Sequence, residues 1–161
     1  MGEIKATITT DVRDLYSFML QHTYRCAGGV LSLLFSIGAF ILLLNCFTAV
    51  GTEYKIILVI CSALFTIINP LMLWQRAKRQ VKRNPGFSAP IEYTFTGKGF
   101  TMQQGETKAT AEWRDLWKIR DGKKYLYLYG NTVRANIIPK KQLGAQAQEL
   151  SRMIKEGRRL L

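Results

Sequence analysis

The residue types that carry most enzyme chemistry are scarce in this sequence and do not converge. His22 is the single histidine. It falls on a predicted amphipathic helix beside an apolar run, where one imidazole reads as a solvated polar tip, because zinc and iron sites need several His, Cys or carboxylate ligands at one point. Cys26, Cys46 and Cys61 lie in or beside the apolar runs without CxxC spacing. They read as small apolar residues, with cross-linking through Cys46 as the alternative. Glu112 and Asp115 bracket Trp113 and Arg114, a spacing that suits a local turn. Lys98 sits between Gly97 and Gly99 in a TGKG turn; with no helix following, this is a hairpin and not a phosphate cradle. Nucleophile-elbow, HExxH and phosphate-loop patterns are all missing from the sequence. The expectation is therefore no catalytic residue, no metal and no cofactor. The chain reads as a non-enzyme, with a membrane-tethered enzyme kept as a remote alternative.

The elements that would position any site begin with two apolar runs. Residues 26–52 carry no Asp, Glu, Lys, Arg or His, and residues 56–75 are uncharged again after Glu53 and Lys55. A bilayer core of ~30 Å needs roughly 20 helical residues, and backbone groups in lipid must be satisfied within their own segment. Two membrane helices are expected over residues 26–75, joined by a short turn and so antiparallel neighbours. The competing readings are weaker: a soluble core helix needs a polar face, and a signal peptide needs a shorter run nearer the start. Gly28, Ser32 and Ser36 recur every four residues on the first span. That places a small-residue face against the second span, with a homodimer interface as the alternative. Pro70 predicts a kink near the end of the second span.

Before the hairpin, Ile4, Ala6 and Ile8 alternate with polar residues, the period of a half-buried strand. Thr10 or Asp11 then resembles a helix N-cap, and residues 1–25 read as a strand plus an amphipathic helix. Beyond a basic collar at residues 76–88, the segment 89–161 shows about five short alternating strands with turns at TGKG, QQGE, Asp121–Gly122 and YGNT. Leu143, Ala147, Leu150 and Ile154 then form one stripe on a final helix. If both ends of the hairpin lie on one side of the bilayer, the first strand can join the later sheet. The fold class expected is a membrane α+β protein.

Three stretches in this layout, EWRDLWKI (residues 112–119), YLYLY (residues 125–129) and NIIPKKQL (residues 136–143), together with the two spans, resemble the YcxB-like family of small bacterial membrane proteins. The resemblance implies a cytosolic pleckstrin-homology-like domain: a partly open antiparallel β-sandwich capped by a C-terminal helix. It brings no catalytic residues. Lys98 resembles the position at which some pleckstrin-homology domains hold a phosphate. Trp113 and Trp117 flank Leu116 and are expected in the core, with an exposed aromatic docking point for a protein partner as the alternative.

Charge fixes the expected orientation. Of a net charge of +12, the whole excess lies from Arg76 onward, where 19 Lys and Arg face seven acids. Arg76, Lys78, Arg79, Lys82 and Arg83 follow the second span directly, so the positive-inside rule places both termini in the cytoplasm of a cell (inner) membrane protein. Trp74 and Tyr54 suit the headgroup layer. The collar's first role is topology. Attraction to anionic headgroups would add ~1 kcal/mol per cation near the surface. Nucleic acid is not expected as a partner, because no recognition motif accompanies the charge. Two functions remain: a regulatory or scaffold module whose cytosolic domain binds a protein or lipid headgroup, or an immunity protein guarding against a membrane-active toxin.

Overall fold

A computed structural model describes residues 2–87, 89–132 and 134–159. Ser88, at the end of the predicted collar, and Val133, at the start of the predicted last strand, lie outside the described residues. The chain forms two compact units, Leu15–Arg83 on its own and Met1–Asp14 together with Asn84–Leu161.

The second of these is built on two antiparallel sheets. One has the order β1 (Ile4–Ile8), β2 (Ile91–Phe95), β3 (Gly99–Gln104) and β4 (Thr107–Glu112); the other has β5 (Lys118–Asp121), β6 (Tyr125–Tyr129) and β7 (Ala135–Pro139). β1 pairs with β2 across the whole hairpin, Ile4 opposite Phe95 and Ile8 opposite Ile91. Period-two alternation turns Ile4, Ile8, Tyr93, Phe95 and Phe100 to one face of their sheet, and Leu126, Leu128 and Ile138 to one face of the other. These side chains form one hydrophobic cluster with Leu143, Leu150, Met153 and Ile154 from the C-terminal helices. Six strands follow the hairpin instead of about five, because residues Trp113–Asp115 coil into a 3₁₀ turn that divides β4 from β5. That turn swings Trp113 inward, where its ring packs 5.5 Å from Phe100 and its Nε1 donates to Thr96 O at 3.0 Å.

The final stripe spans two helices, α5 (Lys140–Leu143) and α6 (Gln146–Arg159). Gly144 between them has φ +55°, a left-handed conformation that ends the first helix and favours glycine. Gly157 lets α6 come close to the sheet: a Cβ there would lie 2.5 Å from Gly97 O and 2.7 Å from Trp113 Cδ1.

In the other unit, α1 (Val12–Arg25, shared with the sheet unit at its first turn) leads to α2 (Ala27–Asn45). A long helical run follows: α3 (Thr52–Ala63), a π-helical turn (Leu64–Ile68) and α4 (Asn69–Arg83). Two helices, Ala27–Asn45 and Thr52–Arg83, are long and apolar enough to cross a membrane. Their large side chains point outward; Leu31 is 69% and Phe35 64% exposed, which suits a lipid solvent.

Pro70 acts through hydrogen-bond register. It has no N–H to give. Asn69 N–H bonds to Leu64 O in the π register, so Phe65 O is left without a helical donor, and the Tyr24 hydroxyl donates to it. The Ser36 hydroxyl sits in the opened ladder nearby. It donates to Cys61 O at 2.8 Å and accepts from Phe65 N at 3.4 Å. The predicted disturbance therefore lies one turn before Pro70 and is stitched by side chains from α1 and α2.

Candidate functional site

Within the sheet unit, the end of β1, the start of α1, the β5–β6 turn, α5 and α6 surround an open basin of about 1500 Å³. Each element contributes cations for a local reason. α6 is amphipathic: Leu150, Met153, Ile154 and Gly157 face the core, and Arg152 with Lys155 occupy the other face, toward the basin. The Asp121–Gly122 turn places Lys123 and Lys124 at its tip, and Lys140 and Lys141 open α5 directly after β7. Arg13 comes from the first turn of α1.

Hydrogen bonds tie these elements together. Gln142 Oε1 accepts from Thr9 N at 2.9 Å, and Gln142 Nε2 donates to Thr9 O at 2.8 Å. Lys140 N donates to Lys124 O at 3.0 Å, and the Lys140 ammonium pairs with Asp121. At the head of α1, Asp14 Oδ2 accepts from Asp11 N at 3.0 Å and Asp11 Oδ1 from Val12 N at 2.5 Å. Both carboxylates thus accept from backbone N–H groups at the head of α1, and Asp14 N donates to Asp11 O at 3.1 Å.

Seven cations thus line the basin against two carboxylates, Asp11 and Asp14. Among the described residues, Lys140 alone of the seven has a carboxylate within ion-pair distance. Concentrating like charge opposes folding through self-repulsion, so the arrangement favours an anion that neutralises it. Among the described residues, no three His, Cys, Asp or Glu side chains converge on one point.

The residues singled out from the sequence fall elsewhere. Lys98 is exposed in the β2–β3 turn, where its carbonyl accepts from Trp113 N at 3.1 Å, and it does not line the basin. Trp113 is fully buried with its ring in the core, which agrees with the first reading and removes the alternative of a docking residue at that position. Trp117 is 54% exposed, edge-on to Tyr129 at 6.0 Å, with Lys118 Nζ 5.6 Å from its ring.

On the hairpin, Ser36 is fully buried, Ser32 is half-buried, and Gly28 has open space where a Cβ would stand. The buried residues of α2 are Gly29, Ser36, Ala39 and Leu43; Ser36 belongs to the predicted stripe, while at the helix start Gly29, tight against Thr23 O, is buried in place of Gly28. Trp74 meets Tyr16 edge-to-face at 5.1 Å, and Tyr54 is exposed. Arg76, Lys78, Arg79, Lys82 and Arg83 are exposed on the last turns of α4, so the collar begins as helix.

The basin escaped the sequence because its cations come from four separate stretches that only the fold assembles. The doublets Lys123–Lys124 and Lys140–Lys141, and the pair Arg152 with Lys155 opposite an apolar stripe, were the signal available.

Comparison with known proteins gives one assignment. No curated protein and no solved structure matches the chain at a significant level. The family model described as YcxB-like protein matches residues 95–155, from the end of β2 into α6 and including six of the seven basin cations. Over that stretch the chain carries a YcxB-like domain.

Proposed function

We propose that the protein is an integral membrane module in which a two-helix hairpin tethers a non-catalytic, pleckstrin-homology-like binding domain at the cytoplasmic face, in a regulatory or scaffold role. The observation that carries this reading is the pairing of β1 with β2 on either side of an outward-facing apolar hairpin. Two strands of one sheet must share a compartment, so the hairpin has to enter and leave on the same face. The five cations after the second span favour the cytoplasm for that face. A four-plus-three strand arrangement with a helix against the shared core agrees with a pleckstrin-homology-like sandwich. The basin supports binding over catalysis, since its lining offers charge in place of a nucleophile–base pair.

Single-cysteine variants in intact cells test the topology. A membrane-impermeant maleimide should label Cys46 from outside and leave a cysteine at position 134 unlabelled until the cells are opened. The reverse pattern would overturn the orientation, and release of the protein from membranes by alkaline carbonate would overturn the tether.

A further inference from the structure

We propose that the basin of the sheet unit is a binding site for a phosphate-rich anion, one presenting two or more adjacent phosphate groups. The proposal rests on the reading of this unit as a binding domain and names the chemistry of its ligand. Three features carry it. The first is convergence: Arg13, Lys124, Lys141, Arg152 and Lys155 come from four distant stretches, yet all line one concavity. A solvated basic face would not need a concave shape or several elements.

The second is preorganisation. The Gln142–Thr9 pair and the Lys140 N–Lys124 O bond fix α5 against both the end of β1 and the β5–β6 turn. The cations therefore stand on anchored backbone rather than on a free loop, which reduces the ordering cost of binding. The third is charge balance. Asp11, Asp14 and Asp121 keep their charge, yet the seven basin cations exceed these three carboxylates by four, and that excess is left to an external anion. A single phosphate carries at most about two charges near neutral pH and would leave about half of that excess uncompensated. Adjacent phosphates match it better, and the two guanidinium forks suit bidentate phosphate contacts. At about 1500 Å³ the open basin also admits a group larger than one phosphate.

The same chemistry occurs on a phosphorylated lipid headgroup and on a soluble oligophosphate. The test uses the full chain in neutral detergent, with inorganic triphosphate as the probe and calorimetry at physiological salt. Saturable binding is expected. The double substitution Arg152→Gln/Lys155→Gln should weaken it at least tenfold, and so should Lys123→Gln/Lys124→Gln in a separate protein. Replacing the five collar cations with Gln should leave it within twofold. Unchanged circular dichroism and melting temperature keep the comparison valid, and two independent doublets guard against one variant misfolding.

No binding to the native chain, loss in the collar variant equal to that in the basin variants, or equal binding of a triglutamate peptide would each overturn the proposal. Nanodiscs separate the two sources. If a lipid with a diphosphate headgroup in a phosphatidylcholine disc competes with triphosphate, the ligand is a headgroup; if it does not, while triphosphate still binds, the ligand is soluble. Either result supports the shared chemistry. Because calorimetry in detergent does not depend on orientation, failed binding leaves the membrane-tether reading standing. Failed tethering in the labelling experiment likewise leaves the anion site to be judged by calorimetry alone.

Discussion

Gln142 and Thr9, 133 residues apart, share two hydrogen bonds: the Gln142 amide accepts from Thr9 N and donates to Thr9 O. A primary amide offers the same donor–acceptor pair as a peptide group, so this side chain stands in for a further strand residue where β1 has run out of ladder. It fastens α5 to the chain just before α1, and with it Lys141 to the side of the basin that carries Arg13.

Replacing that amide should loosen the basin without unfolding the sheet. For Gln142→Ala, each exposed bond lost costs on the order of 1 kcal/mol, and water can reach both freed groups. Hydrogen exchange should speed up at Thr9 and remain slow at Tyr93. Equal acceleration at both positions would mean that the bond holds the whole sheet and not one corner.

The contact of α6 with the sheet depends on a missing side chain. In Gly157→Ala, the new methyl would meet a backbone carbonyl and the Trp113 ring, both closer than 3 Å. Overpacking of this kind costs roughly 1–3 kcal/mol. A melting temperature for Gly157→Ala equal to that of the native chain would show that α6 shifts freely, contrary to the packing described.

Tyr93 gives the sheet an alkaline limit. Burial pushes its hydroxyl up from 10.0 to about 12, so the fold favours the neutral phenol. Its contribution is complete below about pH 10, the unfolded value, and is lost as pH rises through the folded value near 12. A shift of this size corresponds to roughly 2–3 kcal/mol. Thermal melts between pH 9 and pH 12 should fall more steeply for the native chain than for Tyr93→Phe. Parallel curves would remove Tyr93 as the cause.

The stitched π turn predicts a paired effect in the hairpin. Ser36→Ala removes the hydroxyl between Cys61 O and Phe65 N, and Tyr24→Phe removes the donor to Phe65 O. Hydrogen bonds between membrane helices average about 0.6 kcal/mol and reach ~1.7. Each variant should unfold at a lower denaturing-detergent fraction than the native chain. The double variant should lose less than the sum, because both side chains act on the same residue. Strict additivity would argue that the two sites relax independently.

Much of the architecture was legible, and the gaps have physical causes. The two apolar helices announce themselves through composition, since their apolar stretches carry no polar face. For the same reason the first residue of the small-residue stripe was ambiguous: Ser36 is buried, but Gly28 and Gly29 are equivalent on paper, and only the turn from α1 distinguishes them. Strand alternation placed Ile4, Ile8, Tyr93 and Phe95 correctly, because a period of two is rigid. The break at Gly144 was hidden by an apolar stripe that continues across it. Trp113 and Trp117 looked alike in sequence, yet the 3₁₀ turn between β4 and β5 buries one and exposes the other. The basin was the least legible feature: its charges become neighbours only once β1, α5 and α6 have met.

β1 ends at Ile8 and its partner β2 begins at Ile91. At roughly 5–20 residues per second, the ribosome keeps the first strand waiting on the order of ten seconds for its neighbour, while the segment made in between is the apolar hairpin that enters the bilayer in the proposed topology. In that topology, a chain with a single helix threaded would hold β1 and β2 on opposite faces, and the sheet could not close. Such a chain would leave the flank of β2 open and the Ile4 and Ile8 positions empty. On that topology, closure of the sheet would report that the hairpin is not half-inserted, and the expected outcome is pulse-labelled protease resistance that appears only after both helices are integrated.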